Sequence, residues 1–183
     1  MPIHAVEALT KVLHSLHDDE SKPPLHVGEV MTLWTYLALL EEAIVLEQIY
    51  LNTTEDTELE ELLKKIQNKC NDQVTKLKEF LQQEGVPFPP AAEQKPYSEA
   101  RAIPVGAKMS DSEIASAISA KMAALITLCA TGISQAIRND VSMMLLKFQI
   151  EAVNISAILK SSMKKRGWLK VPPAYSPPGS PVE

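Results

Sequence analysis

Four histidines, His4, His14, His17 and His26, and a scatter of acidic residues are the raw material from which a metal or acid–base site would have to be built. His14-x-x-His17 places two imidazoles at the i,i+3 spacing that puts both on one helical face, with Asp18 next in the chain as a third ligand. Two histidines on a surface helix are more often simply solvated, so His14 and His17 stand as the nearest approach to a metal site and no bound metal is expected. Redox chemistry inside a helical bundle needs more. A di-iron or di-manganese centre takes four carboxylates and two histidines, with Glu-x-x-His on each of two helices. All four histidines precede Val27, where the first long apolar segment begins. Glu151-Ala-Val-Asn154 has the right spacing but an amide in place of the imidazole, and Asp72 has no histidine three residues later. The middle of the segment 110–136 carries no carboxylate.

Two acidic residues still fall close to apolar stripes, Glu41 and Glu151. A buried carboxylate must find a partner or hold its proton, and Asn71, Gln73 and Asn154 are the amides placed to help. Two readings stay open: both carboxylates rim the core and reach water, or Glu41, Glu151 and Asn154 form a buried polar remnant of a former metal site. Nucleophilic catalysis has no support. Neither Cys70 nor Cys129 has a histidine nearby, and neither a nucleophile elbow nor a glycine-rich phosphate loop is present. The expected catalytic residues, cofactors and metal ligands are therefore none.

The elements that would position these groups are helices. Pro is abundant at 13 residues, yet the runs 25–86 and 105–171 contain none, and those are where helices can extend. Residues 27–51 are apolar nearly all round, which predicts a helix covered on two sides, a dimer interface being the simplest second cover. Leu59, Leu62, Leu63, Ile66, Cys70, Val74, Leu77, Phe80 and Leu81 trace a helical stripe that Gly85 and Pro87 terminate. Ser110-Asp-Ser-Glu113 is a capping box opening a third helix with Ile114, Ile118, Met122, Leu125, Cys129, Ile133 and Ala136 on its inner face. A fourth follows Arg138-Asn139-Asp140 and carries Val141, Leu145, Phe148, Ala152, Ile155, Leu159 and Met163; Gly167 ends it. Residues 3–17 make a shorter amphipathic helix, with Ile3, Val6, Leu9, Val12, Leu13 and Leu16 on one side. The stretch 85–109 holds five prolines (87, 89, 90, 96 and 104) and two glycines (85 and 106). A connection that long is what a bundle needs to run its second and third helices parallel.

This predicts an all-α, ferritin-like antiparallel four-helix bundle with a long crossover between its second and third helices and an extra short N-terminal helix. Residues 1–22 form that helix and its linker, 23–171 the bundle, and 172–183 a Pro-rich flexible tail. Net charge is −5, which argues against nucleic-acid binding, a process driven by neutralising phosphates. The apolar run from Leu37 to Ile49 is broken by Glu41, Glu42 and Glu47, so no membrane span is expected from it. The N-terminus has no basic region leading into an apolar core, and two cysteines in apolar surroundings suit a reducing compartment. A cytoplasmic location is the expectation.

Several local patterns are shared with a known family. Glu29-Val-Met-Thr-Leu33-Trp34-Thr-Tyr36 opens the first long helix, and Glu84-Gly85-Val86-Pro87-Phe88-Pro89 closes the second. Arg138-Asn139-Asp140-Val141 starts the fourth, and Arg166-Gly167-Trp168-Leu169 with Pro172-Pro173 follows it. In order and position, over about residues 27–175, they resemble a ferritin-like family of unknown function from spore-forming bacteria that is related to spore coat proteins. The N-terminal helix with its histidines and the crossover around 91–104 are not covered by that likeness. The resemblance implies a metal-free, non-enzymatic bundle with a structural or interaction role, a location in the spore coat, and spore coat proteins as partners. Many relatives carry two such domains in tandem and this chain holds one, so the resemblance also implies self-association, with a homodimer formed through residues 27–51 and the N-terminal helix. The alternatives are a di-metal carboxylate oxidoreductase, or a small-molecule binder using the small-residue face of the third helix.

Overall fold

The structure, a computed structural model, describes residues 22–175 together with Glu7, Ala8, Thr10 and Lys11. The expected N-terminal helix over 3–17, three of the four histidines and the end of the Pro-rich tail lie outside the described residues. Four long helices account for most of the rest: α1 (Val27–Thr53), α2 (Thr57–Gln83), α3 (Asp111–Gln135) and α4 (Asn139–Lys165). No strand occurs among the described residues.

Three of the four helices, α1, α2 and α3, start on a side chain that satisfies free N–H groups. Ser110 and Glu113 form the capping box expected for α3, with Ser110 N donating to Glu113 Oε2 at 2.8 Å. Asp56 caps α2 by accepting from Leu59 N at 2.8 Å. His26 does the same for α1, its Nδ1 accepting from Gly28 N at 2.9 Å while Glu29 reaches back to the His26 N–H. The fourth histidine is thus a helix cap. At the other ends, Gly85 and Gly167 take φ values of 72° and 71°, a conformation that costs a glycine almost nothing. The N–H groups of Val86 and Trp168, three residues past each helix, then close onto Leu81 O and Met163 O, both at 2.9 Å.

The direction of each helix follows from what meets at its ends. Thr54 Oγ1 donates to Asp111 Oδ1 at 2.6 Å, so α1 finishes where α3 begins. Arg138 pairs with Glu84, so α4 begins where α2 finishes. Hence α1 and α4 run one way and α2 and α3 the other. Helix α1 packs on α2 and α3, and α4 packs on α3 and α2. This is the ferritin-like arrangement expected from the long crossover.

The crossover runs along the outside of α1. Gln48 accepts from Lys95 N at 2.8 Å, and Asn52 holds Ser98 N and Pro96 O at 3.1 and 2.9 Å. Short helical turns at Ala100–Ala102 and Val105–Ala107 carry the chain to α3. Part of the second cover expected for α1 is therefore this segment. Leu39 and Leu46 remain 43% and 47% exposed. The predicted stripes of α2, α3 and α4 form the core, and Trp168 and Leu169 fold back against it. Windows of 18 residues within Val105–Gln135 and in α4 reach mean hydropathies of 1.6 and 1.3, enough to cross a membrane by length and composition. Much of that apolarity on α3 is alanine, at Ala120, Ala123, Ala124 and Ala130 on its exposed face.

Candidate functional site

Polar side chains from all four helices meet inside the bundle. Tyr36 of α1 is fully buried, lying flat on Phe148 of α4 with ring centres 5.4 Å apart. A buried phenol needs a partner, and its hydroxyl donates to Gln73 Oε1 of α2 at 3.1 Å. The other half of that amide donates to Glu151 Oε2 of α4 at 2.7 Å. Lys69 lies 3.6 Å from Glu151 Oε1 and closes the chain at the surface. The Cys129 thiol of α3 also interacts with the Tyr36 hydroxyl.

Further along α1, Glu47 is 1% exposed. It receives the Lys121 ammonium of α3 and, at 3.8 Å, the Cys70 thiol of α2. Lys121 Nζ is also 3.9 Å from Cys70 Sγ. Glu47 Oε2 accepts no hydrogen bond from any described residue. Burial raises the Glu47 carboxyl above its ordinary pKa, and the Lys121 charge only partly offsets that. Burial likewise pushes the Cys70 thiol up to about 12 and Cys129 up to about 11, and it raises the Tyr36 phenol. Both cysteines are free. At neutral pH they are protonated, buried and poor nucleophiles.

Ferritin-like bundles are where di-iron and di-manganese centres are built, and these residues do not fit one. Such a centre balances a metal's positive charge with converging carboxylates. Here the two carboxylates of the network are already matched by ammonium groups, Lys121 on Glu47 and Lys69 on Glu151. The inner positions of α2 that a Glu-x-x-His pair would take hold Cys70 and Gln73, a thiol and an amide. Among the described residues no group of three His, Cys, Asp or Glu side chains converges.

The sequence-derived candidates distribute as follows. Glu151 joins the interior network through Gln73, one of the amides named for it. Glu41 is buried and pairs with Lys78 of α2 at 2.5 Å, outside that network. Asn154 is exposed, because two residues beyond the inward-facing Ala152 the helix has turned by more than half a revolution. Asn71 is also exposed. His14 and His17 lie outside the described residues. Sequence reasoning missed Tyr36 and Lys121. Both occupy stripe positions: Tyr36 lies between Leu33 and Leu40, and Lys121 between Ile118 and Leu125. A lysine interrupting an apolar stripe was the available signal.

The bundle and its interior define the class first, a ferritin-like four-helix protein whose described interior side chains form a hydrogen-bond and ion-pair network. Within that class the chain belongs to the family described as "Protein of unknown function (DUF3231)", which matches residues 15–180. It is 32% identical over 152 residues to the uncharacterized protein YvdQ of Bacillus subtilis, covering 83% of this chain and 89% of that one. The crystal structure of a "putative spore coat protein" from Bacillus halodurans is similar with a TM-score of 0.82 and 35% identity, over 85% of this chain and 98% of that one. A two-domain protein of Anabaena variabilis that contains a ferritin-like domain matches with a TM-score of 0.62, covering 95% of this chain and 52% of that one. Its 13% identity speaks to the fold alone.

Proposed function

We propose that this protein is a non-catalytic structural component of the bacterial spore coat, working by self-association and by packing against other coat proteins. The observation that carries the reading is the exposed apolar strip where α1 meets α3. Leu39 and Leu46 stand 43% and 47% exposed beside Ala117 and Ala124, and between them opens a small apolar cleft of about 170 Å³. A face of that kind, with small residues that allow close approach, suits a second helix better than water. The likeness to the Bacillus halodurans protein supplies the spore coat. The interior network supports a structural role, since its amide, phenol and lysines largely answer one another and its thiols are protonated.

Sedimentation equilibrium tests the self-association. The full chain is expected to form a dimer that Leu46→Asp converts to monomer with its helicity unchanged. A clean monomer of the unmodified chain at high concentration overturns it. A fluorescent fusion expressed during sporulation is expected to collect at the spore surface. Stoichiometric iron or manganese in protein purified without chelators would instead favour the di-metal oxidoreductase.

A further inference from the structure

The groove between α2 and α4 has a volume of about 670 Å³, within the range of small-molecule sites. Its floor is apolar, made of Phe80 from α2 and Met143, Met144, Phe148 and Ile150 from α4. Phe148 is buried, the two methionines are half-buried, and Ile150 is 40% exposed. Methionine side chains are flexible and polarizable, so such a floor adapts readily to an alkyl chain.

One lysine stands on each wall, Lys76 on α2 and Lys147 on α4. The two helices are antiparallel, and two contacts fix their register, Gln73 with Glu151 and Glu84 with Arg138. From the first contact towards the second, Lys76 lies three residues along α2 and Lys147 four residues along α4. Those steps measure about 4.5 and 6 Å, so the two lysines stand level across the groove to within about 1.5 Å.

Neither ammonium has an ion-pair or hydrogen-bond partner among the described residues. The acids at the two ends of the groove are already answered, Asp140 by Arg138 and Lys22, and Glu151 by Lys69 and the Gln73 amide. Glu79, exposed on the rim, is the acid that remains. Two free ammonium groups thus outnumber one free carboxylate, and an anion placed between the lysines is attracted by both.

The occupant that fits has an anionic head and an apolar body. From the level of Lys147 to Asp140 the floor runs for about 10 Å, the length of a medium-chain alkyl group. A hydrophilic anion would leave Met143 and Met144 uncovered, and a neutral alkane would leave both lysines unpaired. We infer that the α2–α4 groove binds a free medium-chain aliphatic carboxylate, its head between Lys76 and Lys147 and its chain on Phe80, Met143 and Met144. The site is separate from the α1–α3 face of the proposed self-association and does not depend on it.

Titrating octanoate into the full chain, with its methionine methyl groups carbon-13 labelled, tests this. The Met143 and Met144 resonances are expected to shift saturably, half-complete at about 1 mM or below. Met31, exposed on α1, and Met122, buried in the core, serve as references and should not move. Octylammonium has the same chain with the opposite charge and should bind at least about tenfold more weakly. Acetate, a head without a body, should shift neither methionine. Combining Lys76→Gln with Lys147→Gln should weaken octanoate at least about fivefold, with the helical circular dichroism unchanged because both side chains are exposed. Octanoate that reaches no saturation by about 10 mM, moves Met31 equally, or binds no better than octylammonium would each overturn the proposal. Undiminished binding by the double variant would do the same. Ligand-free Met143 and Met144 resonances that move on dilution would also overturn it, by assigning the groove to a second copy.

Discussion

Arg138 and Glu84 face each other across one end of the bundle in a two-pronged ion pair, Nη1 and Nη2 each 2.8 Å from a carboxylate oxygen. The same guanidinium meets Asp140 at 3.0 and 2.8 Å and lies over the Phe80 ring, 5.5 Å from its centre. Glu29 of α1 accepts from the backbone N–H groups of Ile137 and Arg138 at 2.8 and 2.7 Å. Burial opposes the charge on Glu29, yet these donors and the His26 N–H hold its pKa below the usual value. One arginine and one glutamate thus join three helices at the point where the chain turns from α3 into α4.

Replacing Arg138 should therefore cost far more than a surface ion pair. The side chain is 4% exposed, and its removal leaves Glu84 without its counter-charge and Asp140 with only the exposed Lys22. Arg138→Ala is expected to destabilise by about 3 kcal/mol, read as a lower urea midpoint. Arg138→Lys should restore only part of this, because an ammonium cannot grip two carboxylates with paired donors. A loss below about 1 kcal/mol for the alanine variant would show that the contacts are incidental.

The same cluster sets an acid limit. Hydrogen bonds from Arg138, and then from Lys22, hold Asp140 down to about 2, below its ordinary 3.8, against a smaller effect of burial. A carboxyl depressed in the folded state contributes stability above its unfolded pKa and loses it as pH falls through the folded one. The window is therefore about pH 4 down to about pH 2. The contribution is at most about 2 kcal/mol, and less after solvent screening of a side chain 23% exposed. Urea titrations from pH 5 to pH 2 on the unmodified chain and on Asp140→Asn should converge at the acid end. Parallel curves would dismiss the assignment.

The helices were legible because their stripes, caps and stops agree: Leu59 to Leu81 at helical spacing, Ser110 with Glu113, and Gly85 before Pro87. The proline-free runs bounded them closely. The interior network was only half legible. Periodicity says that Glu151 and Gln73 face inward, but not that they lie level with each other on neighbouring helices. Lys121 and Glu47 are separated by 74 residues, and their meeting depends on the register of α3 against α1, which no local pattern encodes. The path of the crossover over Gln48 and Asn52 was invisible for the same reason.

Gly132 marks a close approach of α3 to both α1 and α4. A methyl group placed there would come within 2.7 Å of both Leu145 Cδ1 on α4 and Thr32 Cγ2 on α1. Alanine improves helix propensity by about 1 kcal/mol, and the overlap opposes it. Leu145 can rotate away, but the β-branched Thr32 is stiff. Gly132→Ala should therefore be net destabilising, by about 1–2 kcal/mol. A stabilised variant would mean that α1 and α3 can separate freely at this level.

Lys121 and Glu47 make the sharpest test of the interior. Lys121→Met keeps the aliphatic stem but leaves Glu47 buried without its cation, which is expected to cost about 3–5 kcal/mol at pH 7. The sign with pH is opposite to that of Asp140. Burial raises the Glu47 carboxyl in the folded state, so the folded chain binds the proton more tightly than the unfolded one. The resulting penalty is fully present above the folded pKa and fades as pH falls towards the unfolded value of 4.5. Removing Lys121 raises that pKa further and widens the window. Urea midpoints of Lys121→Met should therefore recover towards those of the unmodified chain between pH 7 and pH 5. Adding Glu47→Leu should restore most of the loss at pH 7, because two apolar side chains leave no orphaned charge. If the single variant is as stable as the unmodified chain at pH 7, Glu47 has access to water and the pair is not a structural element of the core.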